Sequence, residues 1–150
     1  MHDLSVRRTD ELLGALSGCE IAVVGDVMLD RYFWGSVHRV SPEAPVPVVD
    51  VDAESFHLGG AANVAGNLRG LGATPLLCGV VGDDTSGTLL RDICAETGLV
   101  TDGIVTEAGR PTTVKTRVIG NNQQIVRLDR ETRDHVGASV GDRVAEILRA

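Results

Sequence analysis

With 150 residues, of which 43% are hydrophobic and 23% charged, the chain has the size and balance of one globular domain with a buried core. Its net charge of −7 argues against non-specific nucleic-acid binding. Because it has no membrane-length apolar run and no signal-peptide core, and because its cysteines are odd in number and widely separated, we expect a cytoplasmic protein with reduced thiols and no membrane partner.

The first third of the chain predicts one helix and two kinds of strand. Leucines at helical spacing in RTDELLGALSG predict a helix that stops at Gly18. EIAVVGD is an apolar run ending in Gly-Asp, which is typical of a buried parallel strand. Residues 31–58 differ, because they hold the single Trp, the single Tyr and several prolines. Alternation in VPVVDVD predicts an edge strand there, since Pro cannot donate to a ladder.

The middle of the chain alternates helix and strand. HLGGAANVAGNLRGLG, residues 57–72, predicts a helix from about Gly60 to Leu71 with Gly72 as its stop. ATPLLCGVVGDD predicts a second buried strand, DTSGTLLRDICAETG a helix with Leu89, Leu90, Ile93 and Cys94 on one face, and DGIVT a short strand. In the first of these helices, the positions expected to form the buried stripe are Ala61, Val64, Ala65, Leu68 and Leu71.

The last third predicts a β-hairpin and a final helix in SVGDRVAEILRA. TTVKTRVIGNNQQIVRLD favours a hairpin with Asn121 and Asn122 in a two-residue turn, since Asn tolerates positive φ. A one-residue slip of this hairpin would regroup its faces. Without a slip, one face would carry Lys115, Arg117, Val126 and Leu128, and the other would carry Val118, Ile125 and Arg127.

Alternating strand–helix units predict an α/β fold with a mostly parallel sheet and flanking helices. Residues 31–58 and 112–129 do not fit that sheet, and we expect them to form antiparallel strands standing off it. Because the aromatic residues Tyr32 and Trp34 lie in the first of these segments, we interpret the pair as a small β lid over a ligand.

Carboxylates follow the two predicted parallel strands. Ligands of such sheets bind beyond the carboxyl ends of the strands, and VVGD ends two of them, at Asp26 and Asp83. Asp30 lies four residues past Asp26, where a carboxylate can accept hydrogen bonds from a polyol. The alternative is that Asp26, Asp30 and Asp83 cap turns or helices.

The double glycine before the helix of residues 60–71 suggests a second part of a site. Gly59 and Gly60 leave the first N–H groups of the helix uncovered, so the oxygens of a ligand can approach. Asn63, in the first turn, offers hydrogen-bond donors and an acceptor to hydroxyls. The pattern is neither a P-loop nor a dinucleotide fingerprint. The alternative is close helix–sheet packing, with Asn63 as a local cap.

The remaining polar patterns are less specific. Basic residues on the hairpin of residues 112–129 can clamp a phosphate, and the alternative is a solvated strand face. The four histidines have no metal-like spacing, so we expect no metal site. SVGD at 139–142 only faintly resembles an anion-hole turn, because Ser139 replaces the first glycine and the preceding segment is polar.

Several segments together resemble a known family. GGAANVAGNLRGLG followed by GVVGDD resembles the N-terminal signature of the ribokinase-like, or phosphofructokinase-B, carbohydrate kinases. VVGDVMLDRYFWG, RVSPEAPVPVVDV and TTVKTRV…NNQQIVRLD resemble the branch that phosphorylates heptose 7-phosphate, often as part of a bifunctional ADP-heptose synthesis protein. The resemblance runs from about residue 20 to about residue 131.

The resemblance implies a sugar site. It implies that Asp30 holds sugar hydroxyls and that Gly59, Gly60 and Asn63 line the site. It also makes residues 31–58 and 112–129 the two parts of a β lid.

In relatives that lid also serves as a dimer clasp, so a homodimer is expected. Lys115 and Arg127 become candidate contacts to the phosphate of the sugar.

The implied reaction is transfer of phosphate from ATP, with Mg²⁺, to C1 of D-glycero-D-manno-heptose 7-phosphate in ADP-heptose biosynthesis. The catalytic base of the family is the Asp of a Gly-Ala-Gly-Asp turn in the C-terminal, ATP-binding half, and residues 1–150 contain no such turn. We therefore expect the sugar-binding N-terminal half of a kinase domain, without a catalytic residue and inactive alone. The alternatives are a non-catalytic sugar-phosphate-binding or dimerisation fragment, and part of a kinase for another sugar or a nucleoside.

Overall fold

A computed structural model describes residues 5–149, and these residues form an α/β fold with two sheets. The first sheet has the strand order β1-β4-β5 and the second has the order β3-β2-β6-β7. In chain order, the elements are α1 (Val6–Leu16), β1 (Glu20–Val24), β2 (Val27–Val40), β3 (Pro47–Gly60), α2 (Ala61–Gly70), β4 (Thr74–Gly82), α3 (Thr85–Glu96), β5 (Ile104–Glu107), β6 (Thr113–Gly120), β7 (Gln123–Arg130) and α4 (Ala138–Ile147).

The first sheet is the predicted parallel sheet. Strand β4 pairs in parallel with β1 on one side and with β5 on the other. This central strand, β4, is apolar and largely buried, because helices of the βαβ crossovers cover it. Among the described residues, β1 has a neighbour on one side only, and Val24 at its end is 56% exposed.

The second sheet contains both segments that we expected to leave the first one, but their pairing differs from the prediction. Strands β2 and β3 form one antiparallel hairpin and β6 and β7 form another. The two hairpins are joined through a parallel pair, β2 with β6, so the sheet is mixed. The reason is topological: β2 and β6 both enter from the carboxyl ends of strands in the first sheet, so they run in the same direction.

The core lies between the two sheets and their helices. Its largest fully buried side chains include Leu29 of β2, Leu77 of β4 and Leu90 of α3, each 1% exposed or less. The predicted apolar face of α3 is confirmed, because Leu90 and Cys94 are buried and Leu89 and Ile93 pack against the core.

The predicted stripe of α2 is wrong in part. Ala65 is buried as expected, but Val64 and Leu71 are 49% and 48% exposed. Ala62, which was not assigned to the stripe, is fully buried. The helix lies on the sheet through its small residues, because alanines let the two backbones approach closely. Val64 and Leu71 are turned outward, and Leu68 is half-buried.

The predicted hairpin turn is confirmed, since Asn121 and Asn122 have φ values of 51° and 65°. The predicted faces are wrong, because a bulge between Val118 and Ile119 shifts the register by one residue. Lys115 therefore lies opposite Asp129, and the Arg residues at 117 and 127 lie opposite each other. Cross-strand partners share a face, so all three basic side chains lie on the same face.

Two further findings concern the chain as a whole. Within residues 5–149, no helix has the length and apolar character needed to cross a membrane. All three cysteines are free, with Cys78 and Cys94 buried and Cys19 exposed.

Candidate functional site

Asp30 lies beside the double glycine. In the antiparallel pair of β2 and β3, Gly59 lies opposite Met28, and Asp30 lies opposite His57. A Cβ built at Gly59 would be 2.9 Å from Asp30 Oδ2 and 2.8 Å from Met28 Cγ. The missing side chain at Gly59 therefore makes room for the Asp30 carboxylate.

Gly60 has a different structural role. Its φ of 55° turns β3 into α2, and a Cβ there would lie 2.3 Å from the Asp26 carbonyl oxygen. That carbonyl accepts a hydrogen bond from the Ala61 N–H at 2.9 Å. Close packing thus accounts for both glycines, as the alternative prediction had it. The same packing brings Asp30 to the amino end of α2.

The next question is whether the polar residues cap helices or turns, as the alternatives predicted. The start of α2 has no side-chain cap, and the exposed Asn63 amide makes no hydrogen bond within residues 5–149. Helix α3 is capped by Asp84, whose Oδ1 accepts from the Gly87 N–H at 2.9 Å. Asp30 lies within β2 and caps nothing, so its carboxylate serves another purpose.

Asp30 is held by a residue that we did not include in the predicted site, Arg117 of β6. Arg117 Nη1 donates to Asp30 Oδ1 at 2.5 Å, and both side chains are about four-fifths buried, with exposures of 22% and 18%. The guanidinium also lies over the Tyr32 ring, 5.3 Å from its centroid. The parallel pairing of β2 with β6 creates this contact, and the sequence pattern did not reveal that pairing.

Lys115 and Arg127, the predicted phosphate contacts, are paired with carboxylates. Lys115 Nζ lies 2.8 Å from Glu131 and 3.2 Å from Asp129. Arg127 donates twice to Asp129, at 2.8 and 2.9 Å. The hydrogen bond from Lys115 lowers the pKa of Glu131, and the hydrogen bond from Arg127 lowers the pKa of Asp129.

These residues form what we call the charged face of the second sheet. Its three cations match its three carboxylates in number, and a further cation, the exposed Arg133, lies 3.1 Å from Glu131. Tyr32 lies next to it and packs edge-on against His57, with ring centroids 5.5 Å apart. The members of the charged face are Asp30, Lys115, Arg117, Arg127, Asp129 and Glu131.

A cavity of 610 Å³ borders the charged face at the carboxyl end of β1. None of the six predicted site residues lines it. Its lining includes Met28 and Thr113, which precede Asp30 and Lys115 by two residues on β2 and β6 and therefore share their faces. The lining residues at this border are Val24, Asp26, Met28, Thr113 and Glu131.

The described part of the chain, residues 5–149, contains no group of three or more His, Cys, Asp or Glu side chains placed to hold a metal ion. The site is thus defined by one carboxylate at a glycine pair, an open helix amino end and paired cations. Such groups bind hydroxyls and anions through hydrogen bonds.

Comparison with known proteins points to one family. Residues 19–141 match the pfkB family of carbohydrate kinases. The chain is 48% identical over 145 residues to the bifunctional protein HldE of Geobacter sulfurreducens, covering 96% of this chain and 30% of that protein. It is 56% identical over 112 residues to the protein of the same name from Magnetococcus marinus, covering 75% and 23% respectively. The chain thus spans less than a third of these relatives.

Solved structures agree on the fold. The fructokinase of Halothermothrix orenii superposes with a TM-score of 0.58 at 25% identity, over 79% of this chain and 40% of that one. An Arabidopsis thaliana ribokinase complexed with ribose and ATP gives 0.59 at 17% identity, over 76% and 36%. The likeness to the Arabidopsis ribokinase concerns the fold alone. The predicted ribokinase-like α/β fold is confirmed.

Proposed function

The chain belongs to the pfkB family of carbohydrate kinases, and on that premise we propose that it forms the sugar-binding part of an ATP-dependent heptose 7-phosphate kinase. The family makes it part of a phosphotransferase that acts on a sugar. The proposed acceptor is C1 of D-glycero-D-manno-heptose 7-phosphate, a step of ADP-heptose biosynthesis. The choice of heptose is supported by relatives named HldE that are 44% to 56% identical.

The placement of Asp30 against Gly59 supports the sugar site most directly. Its carboxylate can accept a hydrogen bond from a sugar hydroxyl, and the Asn63 amide can both donate and accept. Gly60 is exposed and has no side chain, so the sugar ring can approach the amino end of α2 at that residue. Asp30, Gly59, Gly60 and Asn63 therefore form the proposed sugar subsite.

Lys115 and Arg127 form the proposed subsite for the 7-phosphate. Because Asp129 and Glu131 already neutralise them, a phosphate must use their remaining N–H donors or displace a carboxylate. Competition of this kind favours a dianionic phosphate over weaker anions, since only the stronger acceptor replaces a carboxylate.

The chain's residues would bind and orient the acceptor. ATP supplies the γ-phosphoryl group, and Mg²⁺ neutralises its developing charge. We assign neither of them to a residue of this chain, and we place the base that deprotonates the anomeric hydroxyl outside residues 1–150. The dependence on ATP agrees with a cytoplasmic location.

The second sheet is the proposed lid. Its segments 31–58 and 112–129 contain Lys115, Arg117, Arg127 and Asp129 of the charged face, and Asp30 directly precedes the first segment. Closure over the sugar would therefore bring Asp30 and the cations to the ligand together. We also propose that this sheet pairs with its copy in a homodimer. Its edge strand β7 is exposed along all eight residues and can accept such a contact.

A chimaera tests the proposed reaction. In it, this chain replaces the matching 145 residues of the Geobacter relative, so that the rest of that protein is retained. We expect ADP formation that depends on heptose 7-phosphate, whereas the 150-residue chain alone should be inactive. Turnover by the chain alone would contradict the assignment of the base, and an inactive chimaera would contradict the acceptor site.

The pairing of Lys115 and Arg127 with carboxylates supports a second candidate, part of a kinase for a sugar without phosphate. The same chimaera distinguishes the two when it is offered ribose, fructose and mannose beside heptose 7-phosphate. A higher kcat/KM for an unphosphorylated sugar would favour this candidate.

A further inference from the structure

We infer that Arg117 is a positioning residue of the sugar site: it holds Asp30 through Oδ1 and leaves Oδ2 as the oxygen that accepts from a sugar hydroxyl. This inference rests on the proposed function. It assigns a role to a residue on β6 that neither the glycine pattern nor the phosphate subsite includes.

The two oxygens of Asp30 have different surroundings. Oδ1 receives the Arg117 Nη1 donor at 2.5 Å. Oδ2 points to Gly59, where a Cβ would lie 2.9 Å away, and within residues 5–149 it receives no hydrogen bond. A carboxylate oxygen normally accepts one or two hydrogen bonds, so Oδ2 keeps its acceptor capacity.

Arg117 is itself fixed from three sides. Its guanidinium lies 5.3 Å from the Tyr32 ring centroid, and Nη1 also reaches the Lys115 carbonyl oxygen at 3.4 Å. Tyr32 lies opposite Arg117 in the parallel pair, so the ring and the guanidinium stay in register. A cation held in this way restricts the side-chain torsions of Asp30 before any ligand binds, which reduces the entropy cost of binding.

The other two cations of the charged face cannot take over this role. Lys115 is bound to Asp129 and Glu131, and Arg127 is bound to Asp129. A lysine at position 117 would keep the charge, but it would lose the rigid guanidinium that lies over Tyr32 and the fixed direction of its donors.

A double-mutant cycle by calorimetry tests the inference on the chimaera, without ATP and with heptose 7-phosphate as the ligand. Asp30→Asn and Arg117→Met should each weaken binding about tenfold, since each removes or releases one charge-assisted hydrogen-bond acceptor. If Arg117 acts through Asp30, the double variant should bind no more weakly than Asp30→Asn. Arg117→Lys should recover part of the affinity.

The controls separate positioning from other roles. Arg7→Met removes a cation whose side chain is 90% exposed on α1, and it should leave the affinity unchanged. Thermal unfolding of each variant shows whether the titrated protein is folded. If Arg117→Met does not fold, the affinity of Arg117→Lys, which should be intermediate, tests the inference instead.

Independent, multiplicative losses for the two substitutions would overturn the inference, because they would mean that Arg117 contacts the ligand itself. Unchanged binding by Arg117→Met or Arg117→Lys would overturn it as well. If the unsubstituted chimaera does not bind heptose 7-phosphate at all, the proposed function fails, and the inference fails with it.

Discussion

At the scale of single residues, the proposed site depends on Gly59 having no side chain. Gly59 is buried between Met28 and Asp30, and any Cβ would enter the space of the carboxylate. Gly66, also in the glycine-rich segment but inside α2, has no atom within 4 Å of its Cβ position. The two glycines therefore have opposite physical roles, one making room for a functional group and the other only weakening a helix.

Substitution of these glycines by alanine should have opposite effects. Gly59→Ala should destabilise the chain by about 1–3 kcal/mol through overpacking, and it should weaken sugar binding because Asp30 must move. Gly66→Ala should raise the free energy of unfolding by about 0.5–1 kcal/mol, since alanine favours the helix. Urea denaturation and calorimetry measure both effects. Equal stability of the two variants would contradict the packing geometry.

The carboxylates of the charged face should limit phosphate binding. Asp129→Asn releases Lys115 and Arg127 from a shared acceptor, so inorganic phosphate and heptose 7-phosphate should both bind several-fold more tightly. Calorimetry at two salt concentrations measures this, with Asp52→Asn on β3, which is exposed, as the control. Weaker phosphate binding by Asp129→Asn would mean that Asp129 arranges the cations for the ligand.

At this scale, part of the proposed site followed from the sequence pattern. The spacing of Asp30 from its strand and the double glycine pointed to residues that the fold brings together. Arg117 could not be found as the partner of Asp30, because their contact depends on a parallel pair between strands more than 70 residues apart. The faces of the hairpin were missed because a single bulged residue reverses them.

At the scale of elements, the start of α3 ties the two sheets together. Asp84 accepts from the Gly87 N–H with Oδ1 and from the Thr112 N–H with Oδ2. The fully buried Thr112 hydroxyl accepts in turn from the Gly82 N–H at 3.0 Å. One carboxylate thus caps a helix and anchors the segment that leads into β6.

Removal of this anchor should destabilise the chain and change its response to pH. Asp84→Ala should cost about 1–3 kcal/mol, because it leaves a helix N–H and a backbone N–H without an acceptor. Burial raises the pKa of Asp84, but the hydrogen bonds from Thr112 and Gly87 outweigh it, and the net pKa lies below 3.8. Its contribution to stability is therefore present above pH 3.8 and is lost as the pH falls through the lower, folded value.

Urea denaturation between pH 7 and pH 3 measures this dependence. Asp84→Asn keeps an acceptor but cannot titrate, so its unfolding free energy should fall less with acid than that of the unsubstituted chain. Asp83→Asn, which changes the exposed neighbouring residue, is the matched control and should follow the unsubstituted chain. Parallel pH curves for all three would contradict the role of Asp84.

Elements were predicted better than their packing. The helices and the parallel strands followed from apolar periodicity and glycine stops, because those signals are local. The orientation of α2 did not, since its alanines and its larger side chains repeat at the same helical spacing and only the neighbouring sheet decides which set is buried. The mixed pairing of the second sheet was likewise a tertiary property.

At the scale of the whole molecule, one side of β1 and part of its apolar surface are exposed. Among the described residues β1 pairs only with β4, and Val24 at its end is 56% exposed. An open edge of this kind favours pairing with another strand. The chain spans 30% of its Geobacter relative, so the expectation below concerns the association of the 150 residues alone.

We expect the 150-residue chain to self-associate or to have low solubility. Val24→Lys places a charge on the open edge and should lower the sedimentation coefficient of the associated species, whereas Val6→Lys on the exposed α1 should not. A sharp monomeric boundary with cooperative unfolding of the unsubstituted chain would contradict this expectation.

The proposed function depends on Asp30 as the group that receives the sugar. The most direct measurement is the rate of ADP formation by the chimaera with heptose 7-phosphate, with and without Asp30→Asn. We expect turnover by the unsubstituted chimaera and a loss of about tenfold to a hundredfold in kcat/KM for Asp30→Asn, because one charged acceptor is removed. An inactive chimaera, or equal kcat/KM values for the two proteins, would contradict the role of Asp30 in binding the sugar.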